Sequence, residues 1–191
     1  MDARQQRTRA QLARAILELA EAKSVTSITV SELAAVAKIN RSTFYEHSDS
    51  PASLLRSTLR DELDVIRDRN LGAPLDVRTA VLQVTTDVLD HVDAHSTIYS
   101  RGLSLDDNAG ELHSMLSAHF AQSMRQLFES GTVELPKSAD PAYLEDTAAR
   151  FIADGTVGAI EAWLRTPAPR ERQAFLEAYR LVMPGWWPLV V

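Results

Sequence analysis

Apolar residues recur every three or four positions along nearly the whole chain, and no stretch keeps the two-residue alternation of a strand. The pattern predicts an all-α protein. A first helix, from about Arg4 to Lys23, carries Leu12, Ala13, Ile16, Leu19 and Ala20 on one side, behind a polar start that holds Arg4, Arg7, Arg9 and Arg14. After a loop at residues 24–27, a second helix turns Val30, Leu33, Ala34, Val36 and Ala37 inward. Thr29 is placed to cap it, and Glu32, three residues on, completes a capping box. Lys38 and Ile39 make a turn, and Asn40 stands as the cap of a shorter helix from Arg41 to Glu46 or His47. Ser50 and Pro51 then open a fourth helix as cap and first helical residue. Leu55, Leu59, Leu63 and Ile66 are its buried stripe, and Gly72 and Pro74 stop it near Asn70.

The same reading continues through the remaining two thirds of the chain. A fifth helix from Leu75 to about Ser96 is striped by Val77, Val81, Val84, Val88 and Val92, with His95 in the middle of the stripe and His91 at its edge. His91 and His95, with Asp87 a further turn back, have spacing that suits a shared metal ion. A hydrogen-bonded core histidine beside a rim histidine satisfies the same pattern at less cost, so no metal is assigned. Residues 97–110 read as irregular, with a turn around Tyr99 and a loop at Asp106–Gly110. A helix from Glu111 to Ser130 turns Leu112, Met115, Leu116, Phe120, Met124 and Leu127 inward, and His113 and His119 read as surface or rim residues. The last two helices span about Pro141–Arg165 and Arg170–Met183, the second burying Phe175, Leu176, Tyr179 and Val182. Gly155 and Gly158 sit inside the first of these, each costing about 1 kcal/mol relative to alanine. A helix that accepts that cost gains close approach to another helix, in its own chain or in a second copy. The tail from Pro184 to Pro188, with Trp186 and Trp187, is too aromatic to stand in water and is expected to dock.

The third helix is unusual for so short an element. Phe44 is its core anchor, while Arg41, Ser42, Thr43, Tyr45 and His47 all carry hydrogen-bond donors. Donors on the first turns of a short helix suit the major groove of DNA. The run from Ser27 to Ala34 (S-I-T-V-S-E-L-A), then Ala37, Ile39, the run from Asn40 to His47 (N-R-S-T-F-Y-E-H) and the Leu54-Leu55 pair resemble the helix-turn-helix of the tetracycline-repressor (TetR) family of bacterial regulators. The resemblance covers residues 8–60 closely and 140–183 more loosely. Three positions depart from the family: Lys38 replaces a turn glycine, Ser48 an aromatic residue, and Pro51 a lysine that commonly meets a phosphate.

The resemblance implies an N-terminal three-helix DNA-binding domain over residues 1–50 and a C-terminal helical ligand-binding and dimerisation domain over residues 51–191. It implies that Ser42, Thr43 and Tyr45 touch bases or phosphates, with Arg4, Arg7, Thr29, Arg41 and His47 as backbone contacts. It implies dimerisation through the last two helices, with Ala149, Ala153, Gly155, Gly158, Ala162, Phe175 and Tyr179 as interface candidates. Met115, Phe120 and Met124 suit an adaptable cavity. Candidate contacts to a small-molecule effector are these three together with His91, His95, Tyr99 and Trp163. The expected partners are a double-stranded operator, an effector and a second copy of the chain. The alternative is a TetR-like module whose head binds a protein and has weakened DNA affinity, on the strength of Ser48 and Pro51.

Charge first speaks against DNA and then for it. The formal net charge is −6. Residues 1–60, however, hold nine Lys/Arg against six Asp/Glu, and residues 61–191 hold eleven against twenty. Screening over about 8–10 Å makes the local basic head matter more than the total. The chain has no cysteine, which removes disulfides, thiolate zinc sites and a cysteine nucleophile. The sequence has no apolar run of membrane-spanning length, no signal-peptide core, no glycine-rich phosphate loop and no nucleophile elbow. The expectation is therefore a cytoplasmic, non-enzymatic protein with no cofactor and no catalytic residues.

Overall fold

A computed structural model describes residues 3–72, 75–104 and 109–189. Among these residues the chain forms α-helices and a short 3-10 turn, with no strand. The helices are α1 (Ala3–Ala22), α2 (Val30–Ala37), α3 (Arg41–Tyr45), α4 (Pro51–Leu71), α5 (Val77–Ala94), α6 (Ser96–Gly102), α7 (Ala109–Glu129), α8 (Pro141–Leu164) and α9 (Arg172–Val182). The chain divides into two compact units, Met1–Glu62 and Leu63–Val191, and the division falls inside α4.

The first unit is built on Leu12 and Ile16 of α1, Leu33 of α2, Phe44 of α3 and Leu59 of α4, none of which is exposed to solvent. Ala15 joins them in place of Ala13 and Leu19, while Val36 lies on the surface because the inward face of α2 is narrower than its apolar run. The caps explain where the helices begin. The Thr29 hydroxyl accepts the Glu32 backbone N–H at 3.2 Å. The Glu32 carboxylate takes the Lys23 ammonium at 2.7 Å. That ammonium, with a smaller pull from the Thr29 backbone, holds the Glu32 carboxyl below its ordinary range despite some desolvation. Asn40 occupies the cap position of α3 but makes no side-chain cap bond, contrary to the sequence expectation. Ser50 does cap α4: its Oγ accepts the Ser53 N–H at 3.1 Å, with Pro51 as the first helical residue.

The second unit is organised by α8, which packs along α7 and also meets α6 and α9. Its buried stripe is Ala149, Ile152, Ala153, Val157, Ile160 and Trp163. Asp146 of α8 accepts from Arg125 of α7 and Arg150, each at 2.8 Å, and these two guanidiniums hold its carboxyl below the usual range. Several boundaries differ from the sequence reading. α5 starts at Val77 because Asp76 caps it, accepting the Thr79 N–H at 3.0 Å. The region expected to be irregular contains the seven-residue α6, whose Ile98 and Tyr99 are buried. Pro74 and residues 106–108 of the expected loop lie outside the described residues, and Ala109 and Gly110 open α7. Val182 is 72% exposed instead of buried, whereas the tail docks as expected, with Trp187 and Leu189 in the core.

Lys38 ends α2 in the left-handed conformation, at φ 56° and ψ 45°, and its N–H returns to the carbonyls of Ala34 and Ala35. That geometry costs a side-chain-bearing residue about 1–2 kcal/mol, and glycine avoids it while losing more chain entropy. Lys38→Gly should therefore stabilise the first unit by roughly 0.5–1 kcal/mol in urea unfolding followed by helical signal.

Candidate functional site

The first candidate surface is α3 and its surroundings. Phe44 is 0% exposed and fixes the helix by its ring, with the Tyr45 ring standing edge-on at 5.3 Å. Helical geometry then sends the neighbouring side chains outward. Arg41 and Ser42 are exposed, Tyr45 is 55% exposed, and Thr43 and His47 are half-buried. Arg41 makes no ion pair among the described residues. Arg4 and Arg7 are exposed on the first turns of α1, while Arg9 is tied to Asp61 at 3.0 Å. Thr29 is exposed, and since its hydroxyl only accepts in the cap, its own O–H remains able to donate. Ser48 and Pro51 both serve the start of α4, Ser48 by donating to the Ser50 carbonyl at 3.1 Å. Their departure from the family pattern thus has a local structural role.

The second candidate is a cavity of about 70 Å³ inside the second unit. Its apolar wall includes Leu63 of α4, Val88 of α5, Phe120 and Met124 of α7, Ile152 of α8 and Phe175 of α9. Its polar lining residues are Arg67, Thr85, His119, Ser123, Thr156, Tyr179 and Trp187. Tyr179 and Thr156 share a hydroxyl hydrogen bond of 2.7 Å, and burial pushes the Tyr179 phenol up to about 12. His119 is 4% exposed and lies 3.4 Å from the Asp64 carboxylate, which corrects the sequence reading of a surface or rim residue. Arg67 binds Asp64 at 2.7 Å and Asp68 at 2.9 Å.

Of the seven effector candidates, Phe120 and Met124 line this cavity. His91, His95, Tyr99, Met115 and Trp163 do not. His91 instead shares a hydrogen bond of 2.8 Å with the Tyr99 hydroxyl, and the His95 ring lies 5.0 Å from that of His91. Asp87 is engaged by Arg69 and Asn70, each at 2.8 Å. Trp163 donates its indole N–H to the Glu171 carbonyl. The residues missed had a signal: His119 and Ser123 fall on the helical stripe of Leu112, Leu116 and Leu127, and Thr156 on that of Ala149, Ala153 and Ile160.

The third candidate is the outer face of α8 and α9. Ala149, Ala153, Phe175 and Tyr179 turn into the protomer and are buried there, which removes them from any outer face. Gly155, Gly158 and Ala162 are exposed. A Cβ built on either glycine would meet nothing within 4 Å, so no neighbour in the protomer requires these glycines. Phe151 beside them is 69% exposed, and Leu181 on α9 is 86% exposed.

No family model matches the sequence, and no curated protein matches it. Solved structures do. A TetR-family transcriptional regulator from Streptomyces coelicolor is 19% identical, with 99% of this chain and 88% of that one covered, at a TM-score of 0.61. Thermus thermophilus FadR, a TetR-family transcriptional repressor solved with lauroyl-CoA, is 17% identical over 90% of each chain, at 0.60. The dihydroxyacetone kinase operon activator DhaS is 15% identical, with 82% and 84% covered, at 0.58. The fold is that of the TetR-family regulators. Within this TetR-type fold, the helix-turn-helix is α2–α3 and the cavity lies in the helical body.

The buried phenol gives a pH test of the cavity wall. An acid whose folded pKa is raised contributes fully below its unfolded pKa near 10, and that contribution is lost as pH rises toward about 12. Stability of the second unit should fall across pH 10–12 in thermal melts. Tyr179→Phe should flatten that part of the profile while costing about 1 kcal/mol at neutral pH for the lost Thr156 bond.

Proposed function

We propose that the protein is a ligand-responsive, dimeric, DNA-binding transcriptional regulator, acting as a repressor released from a palindromic operator by a small molecule. The observation that carries the reading is α3: a buried Phe44 holds a five-residue helix whose Arg41, Ser42 and Tyr45 stand in solvent. Those groups suit base edges and phosphates, and the net-basic first sixty residues supply the field. Ser42, Thr43 and Tyr45 are the proposed readers, with Arg4, Arg7, Thr29, Arg41 and His47 positioning the backbone.

Dimerisation is proposed through Phe151, Gly155, Gly158 and Ala162 of α8 with Leu181 of α9. Exposed apolar side chains beside two glycines with open space over them are what a second helix pair would cover. Two α3 helices on a two-fold axis would read half-sites about 34 Å apart. The effector is proposed to occupy the cavity lined by Phe120, Met124 and His119, lowering operator affinity by its preference for the DNA-incompetent state. Repression follows the role of the Thermus thermophilus neighbour.

Gel shift on the DNA upstream of the protein's own gene, at two salt concentrations, tests this. A shift with two protomers per complex that weakens steeply with salt is expected. Arg41→Ala should lower the salt slope by about 1 for each phosphate it no longer neutralises. A complex insensitive to salt, or an unchanged slope in the variant, contradicts the assignment.

A further inference from the structure

We infer that the cavity selects a small, uncharged, mainly apolar molecule bearing one hydrogen-bond acceptor, such as a compact ketone, and that the Trp187 indole N–H receives that acceptor. The inference rests on the regulator reading only for its biological use; the chemistry comes from the wall itself. Among the described residues Arg67 is the one lining residue with a permanent charge, and its guanidinium is ion-paired with both Asp64 and Asp68. Among the described residues no carboxylate lines the cavity. An anion would find its only cation spoken for, and a cation would find no counter-charge, so either would leave water without an ionic partner.

The polar atoms of the wall are mostly satisfied among themselves. Tyr179 and Thr156 bond to each other, and the Ser123 hydroxyl donates to the His119 carbonyl at 3.0 Å. Trp187 differs. It is 2% exposed, it lines the cavity, and its buried Nε1–H meets no acceptor among the described residues. A buried indole N–H nearly always finds a partner. Tyr179 can donate elsewhere only by leaving Thr156, and Thr156 only by leaving the Ile152 carbonyl, to which it donates at 2.7 Å, so Trp187 is the donor available without cost. Size sets the remaining limit: about 70 Å³ is less than half of the roughly 150 Å³ that holds benzene in an apolar cavity. A bulky effector is excluded unless Met124, the flexible member of the wall, moves aside.

The test compares acetone, acetate and isopropylamine, probes of matched small size, on the full chain without DNA, by calorimetry and thermal shift at neutral pH. The ketone should bind in about the millimolar range and raise the melting temperature, with both charged probes at least about tenfold weaker. In a ¹⁵N-labelled sample the Trp187 indole resonance should move as the ketone is added, while that of Trp163, already donating to the Glu171 carbonyl, should not. Trp187→Phe assigns the resonance and should weaken ketone binding about 3- to 10-fold. If that variant unfolds, Trp163→Phe and Trp186→Phe assign the Trp187 resonance by elimination, and the wild-type titration decides. Absence of ketone binding at about tens of millimolar, equal or tighter binding of either charged probe, or an unmoved Trp187 resonance overturns the inference. Failure of the gel shift with ketone binding intact would overturn the regulator reading and leave the cavity chemistry standing.

Discussion

The burial of Phe44 is the contact on which the rest of the head depends. Five residues cannot sustain an isolated helix, because nucleation alone is unfavourable for so short a run. The capping bond that Asn40 could have supplied is absent. What holds α3 is therefore its single anchor, buried as fully as Leu12, Ile16, Leu33 and Leu59 of the same unit. Loss of a ring so placed typically costs 3–5 kcal/mol. One inward side chain also leaves the remaining positions of the helix free of packing duties, which is why donors can crowd there without disturbing the core.

The body solves a different problem. α8 is asked to serve two faces: an inner stripe from Ala149 to Trp163 that builds the core and the cavity wall, and an outer one with Phe151, Gly155, Gly158 and Ala162. Small residues on both faces made the helix hard to orient from periodicity alone. Coordinates separate them: Ala149 and Ala153 go inward, and the glycines face open space. α9 shows the same division, with Phe175 and Tyr179 inward and Leu181 outward.

Much of the head was legible because its signals are local. The Thr29 and Ser50 caps, the Pro51 start and the Phe44 anchor each follow from a few adjacent residues. The body was legible in its element types and less so in its site. α6 is too short for a periodic pattern, and its Tyr99 is buried against a histidine eight residues earlier. His119 and Thr156 were hidden by chemistry: polar residues on apolar stripes read as interruptions until long-range packing shows them to be one wall. Trp187 belongs to the docked tail, and no sequence spacing connects it to α5 or α7.

Selection of bound DNA from a random duplex library tests the central claim that α3 reads DNA as one of a two-fold pair. The account predicts enrichment of an inverted repeat with half-sites about one helical turn apart, and a changed preference within each half-site for Ser42→Ala or Tyr45→Ala. Enrichment of no motif, or of one that both variants select unchanged, would contradict it.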